Sequence, residues 1–313
     1  MTFRNTAFMT GALLAFSATS ALASIPEVLP GTFNQTIPQD VIDLVDSVFH
    51  ESVVIDPIYI DPTRNANLHL TSASDVVISF IDEGASYLNT IGYAAWSPGQ
   101  LDGYTHGGLD TNNARGVSTY ELSTGAGVEV GLLFPNASKV GEGGLLEMGD
   151  SIKLAGGKIF PAETRISIFL IQDAWDSSYD RVNGWGPSES YGPVAISPQT
   201  MYTLDFLNPE NPDSATLGNP GDNTRHVAML FEDNDHDALL MGFEDLNKVD
   251  PSSNPGNLID DEDYNDVILR LQAPMGGDVP TAPAPLAGGG LAGLLALTSM
   301  IGAAYRKRKG IAN

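Results

Sequence analysis

The chain predicts an all-β fold, an antiparallel β-sandwich of jelly-roll type with a short N-terminal helix. Three features carry that expectation. Runs of five to eight residues rich in branched and aromatic side chains recur between Asp75 and Leu271. Clusters of Gly, Pro, Asn and Asp separate them, drawn from 33 Gly and 20 Pro. A convincing helical apolar period occurs only near the start of the region beyond Ala23. Many short strands divided by turn formers, with scarcely any helix, suit a sandwich.

Residues 1–23 read as a signal peptide: one positive charge at Arg4, an apolar segment Gly11–Phe16, and Ala21-Leu22-Ala23 before Ser24, the small-x-small pattern of a cleavage site. Residues 24–74 form a helical and extended segment. Within it Val41, Leu44, Val45, Val48 and Phe49 share one helical face, and Asp40 stands where it can cap the helix. The β-region runs over 75–272. Its strands are expected at Asp75–Ile81, Gly127–Phe134, Thr164–Ile171, Arg225–Phe231, Leu239–Phe243 and Asp266–Leu271, all rich in strand formers. Residues 273–285 are dominated by Pro, Gly and Ala and read as a linker. The apolar run 286–305 is long enough to cross a bilayer, and 306–313 carries Arg306-Lys307-Arg308-Lys309, which keeps that end cytoplasmic.

Fifteen Lys and Arg face 39 Asp and Glu, a net charge of −24. Removing the leader and tail takes away five basic residues and no acidic one, leaving ten against 39. Such a field repels nucleic acid and anionic membrane surfaces and attracts divalent cations. The chain has no Cys, so an exported fold here relies on core burial and metal instead of disulfides.

The acids concentrate. Glu244, Asp245, Asp261, Asp263, Asn265 and Asp266 fall within two dozen residues, and Lys248 is the only Lys or Arg between Glu244 and Asp266. A strand beginning at Val267 puts Asp263, Asn265 and Asp266 in the loop entering it, while Glu244 and Asp245 close a neighbouring strand. Carboxylates so gathered raise one another's pKa unless a cation neutralises them. Hard oxygen donors in number, on loops, favour Ca²⁺ over Mg²⁺, and the lack of Cys or paired His disfavours Zn²⁺. Asp233, Asp235 and Asp237 form a secondary acidic set. With Glu244 they show EF-hand spacing, but Ala238 occupies the position that needs Gly, and strand-like flanks make a hairpin with an acidic tip the better reading.

Two resemblances follow from these residues. Gly242-Phe243-Glu244-Asp245, then Asp261, Asp263-Tyr264-Asn265-Asp266, together with Val77–Tyr93, Phe134–Ser138 and Gly149-Asp150, resemble exported bacterial proteins carrying the DUF4114 domain, most strongly over about 190–272. That resemblance implies a β-sandwich, Ca²⁺ binding and no established reaction. The tail, with Val279-Pro280 ahead of the apolar span and basic cluster, resembles the Val-Pro variants of the PEP-CTERM sorting signals, although Pro-Glu-Pro itself is missing and Pro283-Ala284-Pro285 stands in its place. It implies a sorting protease or transpeptidase and, at least transiently, membrane attachment.

Catalytic constellations are thin. His50, His69, His106, His226 and His236 have no metal-ligand spacing, and Gly-x-Ser-x-Gly and Gly-Lys-Ser/Thr motifs are missing. Trp96, Trp175, Trp185, Tyr179 and Tyr191 could line a sugar surface, though core packing is the commoner role. No enzyme activity is expected. The sequence points to an exported, surface-sorted calcium-binding structural or adhesive protein of the cell envelope or extracellular matrix. The alternatives are a Ca²⁺-dependent carbohydrate-binding module on exopolysaccharide and, more weakly, a polysaccharide hydrolase using a carboxylate pair.

Overall fold

The computed structural model describes residues 25–60, 67–101, 117–178, 181–183, 199–204, 207–208, 225–232, 235–247, 254, 258, 261–273 and 277–278. Among these the chain is mostly β, with antiparallel sheets and few helices. The expected leader 1–23, span 286–305 and tail 306–313 lie outside the described residues. No described helix is long and apolar enough to cross a membrane.

Among the described residues the strands are, in chain order, β1 (Phe33–Asn34), β2 (Leu68–Leu70), β3 (Val77–Asp82), β4 (Thr90–Trp96), β5 (Glu129–Phe134), β6 (Asp150–Lys153), β7 (Arg165–Ile171), β8 (Trp175–Asp176), β9 (Arg181–Val182), β10 (Thr200–Tyr202), β11 (Val227–Glu232), β12 (Asp235–Phe243), β13 (Val267–Gln272) and β14 (Gly277–Asp278). One sheet has the order β1-β6-β3-β13-β12-β11. A second has the order β14-β2-β7-β4-β5, with β10 also on β7, and β8 pairs β9 apart from both. The segment 24–74 therefore feeds both sheets, through β1 and β2. Residues 277–278, expected in a linker, instead pair with His69 and Leu70; pairing of so short a segment leaves no periodic trace in a Pro/Gly-rich composition.

The strands are apolar on both sides because both sides are covered. On β7, Ile166, Ile168 and Leu170 enter the core between the sheets, which they share with Phe80, Met241 and Leu269 of the other sheet. The alternate residues Phe169 and Ile171 pack outward against Leu122, Trp175, Val182 and Leu207. On β11, β12 and β13, Ala228, Leu230, Leu240 and Ile268 likewise turn outward, against Val41, Val45 and Phe49 of helix α1 (Gln39–Val48). Helix α1 thus roofs the first sheet by burying the apolar stripe read from its sequence. Asp40 does not cap it. Pro38 holds the N-cap position without a side-chain bond, and Asp40 lies in the first turn, where its charge still favours the helix N-terminus.

Helix α2 (Thr119–Thr124), which the sequence reading passed over, roofs the second sheet through Leu122. Its signal was present. Ser118 and Glu121 form a capping box, the Glu121 N–H donating to Ser118 Oγ at 3.2 Å and the Ser118 N–H to Glu121 Oε2 at 3.3 Å. Ser118→Ala should cost about 1 kcal/mol, lowering Tm by roughly 2–4 °C. An unmoved thermal midpoint would mean that packing alone holds this turn.

Candidate metal centre

Antiparallel register makes the site. Phe243, the last residue of β12, pairs with Val267, the first of β13, so Glu244-Asp245 leave one strand where Asp263–Asp266 enter the next. The Asp266 N–H donates to the Phe243 carbonyl at 3.1 Å, and the Asp245 N–H to Asp266 Oδ2 at 2.7 Å. Strand β3 ends at the same edge: Asp82 pairs with Ile268, and the Gly84 N–H donates to the Asn265 carbonyl at 3.0 Å.

The six expected residues separate into two sets. Glu244, Asp245 and Asp266 each present a carboxylate oxygen within 4.8 Å of the others. Glu244 and Asp245 are only 1% exposed. Asn89, just ahead of β4, donates to Asp245 Oδ2 at 2.6 Å, so the other sheet closes this set from above. Asp261 and Asp263 form the second set, with Glu51 as the third member at the same spacing. The Ser52 N–H donates to Asp263 Oδ2 at 2.6 Å and Asn265 Nδ2 to Glu51 Oε2 at 3.0 Å. Asn265 therefore ties Glu51 of the second set, through its side-chain donor, to Gly84 beyond β3, through its backbone carbonyl.

Sequence reading missed Glu51, Asn89 and the division itself. Glu51 lies more than 200 residues from Asp261, and nothing local in His50-Glu51-Ser52 marks it. The loop from Asp261 to Asp266 is bent by two residues at positive φ, Glu262 at 59° and Tyr264 at 58°. Such conformations are unfavourable for side chains with a Cβ and persist where surroundings enforce them. Tyr264 supplies that enforcement: its ring is buried against α1 and its hydroxyl donates to the Arg225 carbonyl at 2.7 Å.

Within the secondary acidic set, Asp235 and Asp237 do not reach Glu244. Asp233 lies outside the described residues, whereas Asp235 and Asp237 are inside β12, with Glu232 opposite Asp235. Nine residues at about 3.3 Å each place Asp235 about 30 Å from Glu244, so an EF-hand arrangement is ruled out by the strand.

The field of the site is strongly negative. Burial raises Asp245 to about 7, with nearby Asp173 and Asp261 adding to the effect and the Asn89 hydrogen bond and His226 opposing it. Burial, then the Asp245 carboxylate, hold Asp266 well above the usual range. Asp261 and Asp263 are raised in the same sense, first by burial and in part by Glu51. Tyr87 is pushed up to about 12 by burial and then by Asp245, Asp173 and Asp266. Among the described residues neither Asp245 nor Asp266 forms an ion pair with Lys or Arg. An all-oxygen set of carboxylates on two loops is suited to a hard divalent cation.

These strand ends lie inside a recognisable segment. Residues 160–274 match the domain of unknown function DUF4114. The DUF4114 segment begins at Phe160, about thirty residues before the resemblance in sequence suggested, because it takes in β7 and its surroundings. No curated protein and no solved structure matches the chain. Glu51 and Asn89 come from outside the DUF4114 segment, so the described site combines it with the preceding part of the chain.

Proposed function

We propose that this chain is an exported calcium-binding protein with a structural or adhesive role at the cell envelope or in the extracellular matrix, built on an antiparallel sandwich of jelly-roll type. One observation carries the calcium reading: Glu244 and Asp245, both buried, and the half-buried Asp266 hold their carboxylates within 4.8 Å of one another. Buried carboxylates must take up protons or a counter-charge. Calcium supplies the charge and accepts six to eight oxygen ligands, and extracellular modules bind it with Kd values on the order of 10⁻⁴–10⁻³ M. Ion binding here ties the end of β12 to the start of β13, and in the second set ties Glu51 to Asp261 and Asp263, so binding free energy becomes folding free energy.

The exported setting is supported by the leader-like residues 1–23 and the sorting-like tail. That tail implies passage through a membrane and a sorting protease or transpeptidase. Glycan binding gains no support from the described aromatics, since Trp96 and Trp175 are buried in the outer cluster of the second sheet; Trp185, Tyr179 and Tyr191 lie outside the described residues. Calorimetric titration of the chelated full-length chain tests the reading. Calcium should be taken up with heat, and magnesium more weakly; no uptake of calcium ends the proposal. Glu51→Gln should weaken one class of sites by roughly tenfold, as loss of groups around a metal commonly does, and leave the Asp245 class unchanged.

A further inference from the structure

A second group of oxygens lies close by and shares no residue with the sets above. Glu83 follows β3, and Asn136 and Ser138 follow β5. They are 2%, 0% and 0% exposed. Glu83 Oε1, Asn136 Oδ1 and Ser138 Oγ are all buried and have no hydrogen-bond partner among the described residues. Buried polar atoms are nearly always satisfied, so three orphans in one neighbourhood call for an explanation.

The surrounding bonds gather these atoms and engage the nearby donors elsewhere. The Lys139 N–H reaches Glu83 Oε2 at 3.4 Å, which brings the Glu83 carboxylate against the turn carrying Ser138. Lys139 Nζ turns away to Asp82 Oδ1 at 2.9 Å and the Glu83 carbonyl at 2.6 Å. Asn136 Nδ2 donates to Glu27 Oε1 at 2.8 Å and the Gly143 carbonyl at 3.0 Å. With both acceptors on its nitrogen, the amide orientation is fixed and Oδ1 is left without a donor. The Ala137 N–H donates to the Asn89 carbonyl at 2.7 Å, holding the turn at the same end of the molecule as the acidic centre.

We infer that Glu83, Asn136 and Ser138 form a further divalent cation site, which takes calcium through one carboxylate, one amide and one hydroxyl oxygen, with the Glu27 carboxylate beside it. The donor set is wholly oxygen, which fits calcium and excludes metals that prefer nitrogen or sulfur. A cation satisfies all three orphaned atoms at once, whereas a proton on Glu83 satisfies one donor–acceptor pair only. Burial raises the Glu83 carboxyl to about 7, opposed by Lys139 through its N–H and its charge and reinforced by the negative charge of Glu142 and Asp82.

Equilibrium dialysis of the full-length chain against ⁴⁵Ca²⁺ counts the ions. Glu83→Gln, nearly isosteric, should lose one equivalent of calcium per chain, and Ser138→Ala should weaken one equivalent by roughly tenfold. The pair Asp245→Asn with Asp266→Asn should retain the Glu83 equivalent. If Glu83→Gln is not recovered folded, Ser138→Ala decides. Calcium uptake identical to wild type in Glu83→Gln and Ser138→Ala would overturn the site and assign the orphaned oxygens to water or a proton. Loss of one equivalent in Glu83→Gln while Asp245→Asn/Asp266→Asn loses none would uphold it and end the reading of the first centre instead.

Discussion

In chelator the chain should lose stability as the pH rises through neutrality, and saturating calcium should remove that loss. Asp245 titrates near 7 in the fold against an unfolded value of 3.8, and Asp266 is shifted in the same direction. Between those values the folded state keeps protons that the unfolded chain gives up. Stability then falls with pH, since its slope follows the excess of protons bound by the unfolded state, here negative. The contribution is fully present below about pH 4 and gone above about pH 7, a window opposite to that of an ordinary ion-paired carboxylate. For a chain of this size a change of a few kcal/mol corresponds to a fall in Tm on the order of 5–10 °C. Calcium should replace the protons, with an affinity that rises over the same interval and binding that releases protons. Asp245→Asn with Asp266→Asn should flatten the profile in chelator and abolish most of the thermal response to calcium. A wild-type profile that climbs from pH 5 to 8 in chelator would contradict the buried, cation-free description of these carboxylates.

Gly242→Ala should be the most damaging small substitution near the centre. A Cβ at Gly242 would overlap the Tyr264 carbonyl oxygen and the Phe49 ring. The first is backbone in the bent loop and the second seals the end of α1, so neither can yield cheaply. Overpacking of this kind costs about 1–3 kcal/mol, and the upper end applies where backbone must move. The corresponding fall in Tm is roughly 6–12 °C. Because Tyr264 stands between Asp263 and Asn265, displacing its carbonyl should weaken calcium binding as well. Differential scanning calorimetry with and without calcium measures both effects. A variant that melts with the wild type would show that the approach of Gly242 to Tyr264 is looser than the structure has it.

Local chemistry made part of this molecule readable. Branched and aromatic runs marked β3, β5, β7, β11 and β13, and the apolar stripe of α1 was visible from Val41 to Phe49, because strand and helix periods are properties of neighbouring residues. Strand β4 escaped. Its sequence Thr-Ile-Gly-Tyr-Ala-Ala-Trp is buried throughout, with Ile91, Tyr93 and Ala95 facing one core and Ala94 and Trp96 another, so no polar alternation announced it. Strand β12 was read from Leu239, whereas it starts at Asp235; acidic residues are poor strand formers, and pairing with β11 overrides that preference.

The centre divides along the same line. Composition and spacing established that the chain is acidic, lacks thiols, forms strands, and brings acids to the end of one strand and the start of another. Those are consequences of residue type and short-range periodicity. Folding alone assigned Asp266 to Glu244 and Asp245, gave Asp261 and Asp263 to Glu51, and left Glu83, Asn136 and Ser138 together around one turn. Such groupings depend on strand register and on contacts across more than 200 residues, and no local pattern encodes which distant side chains will share a few ångströms.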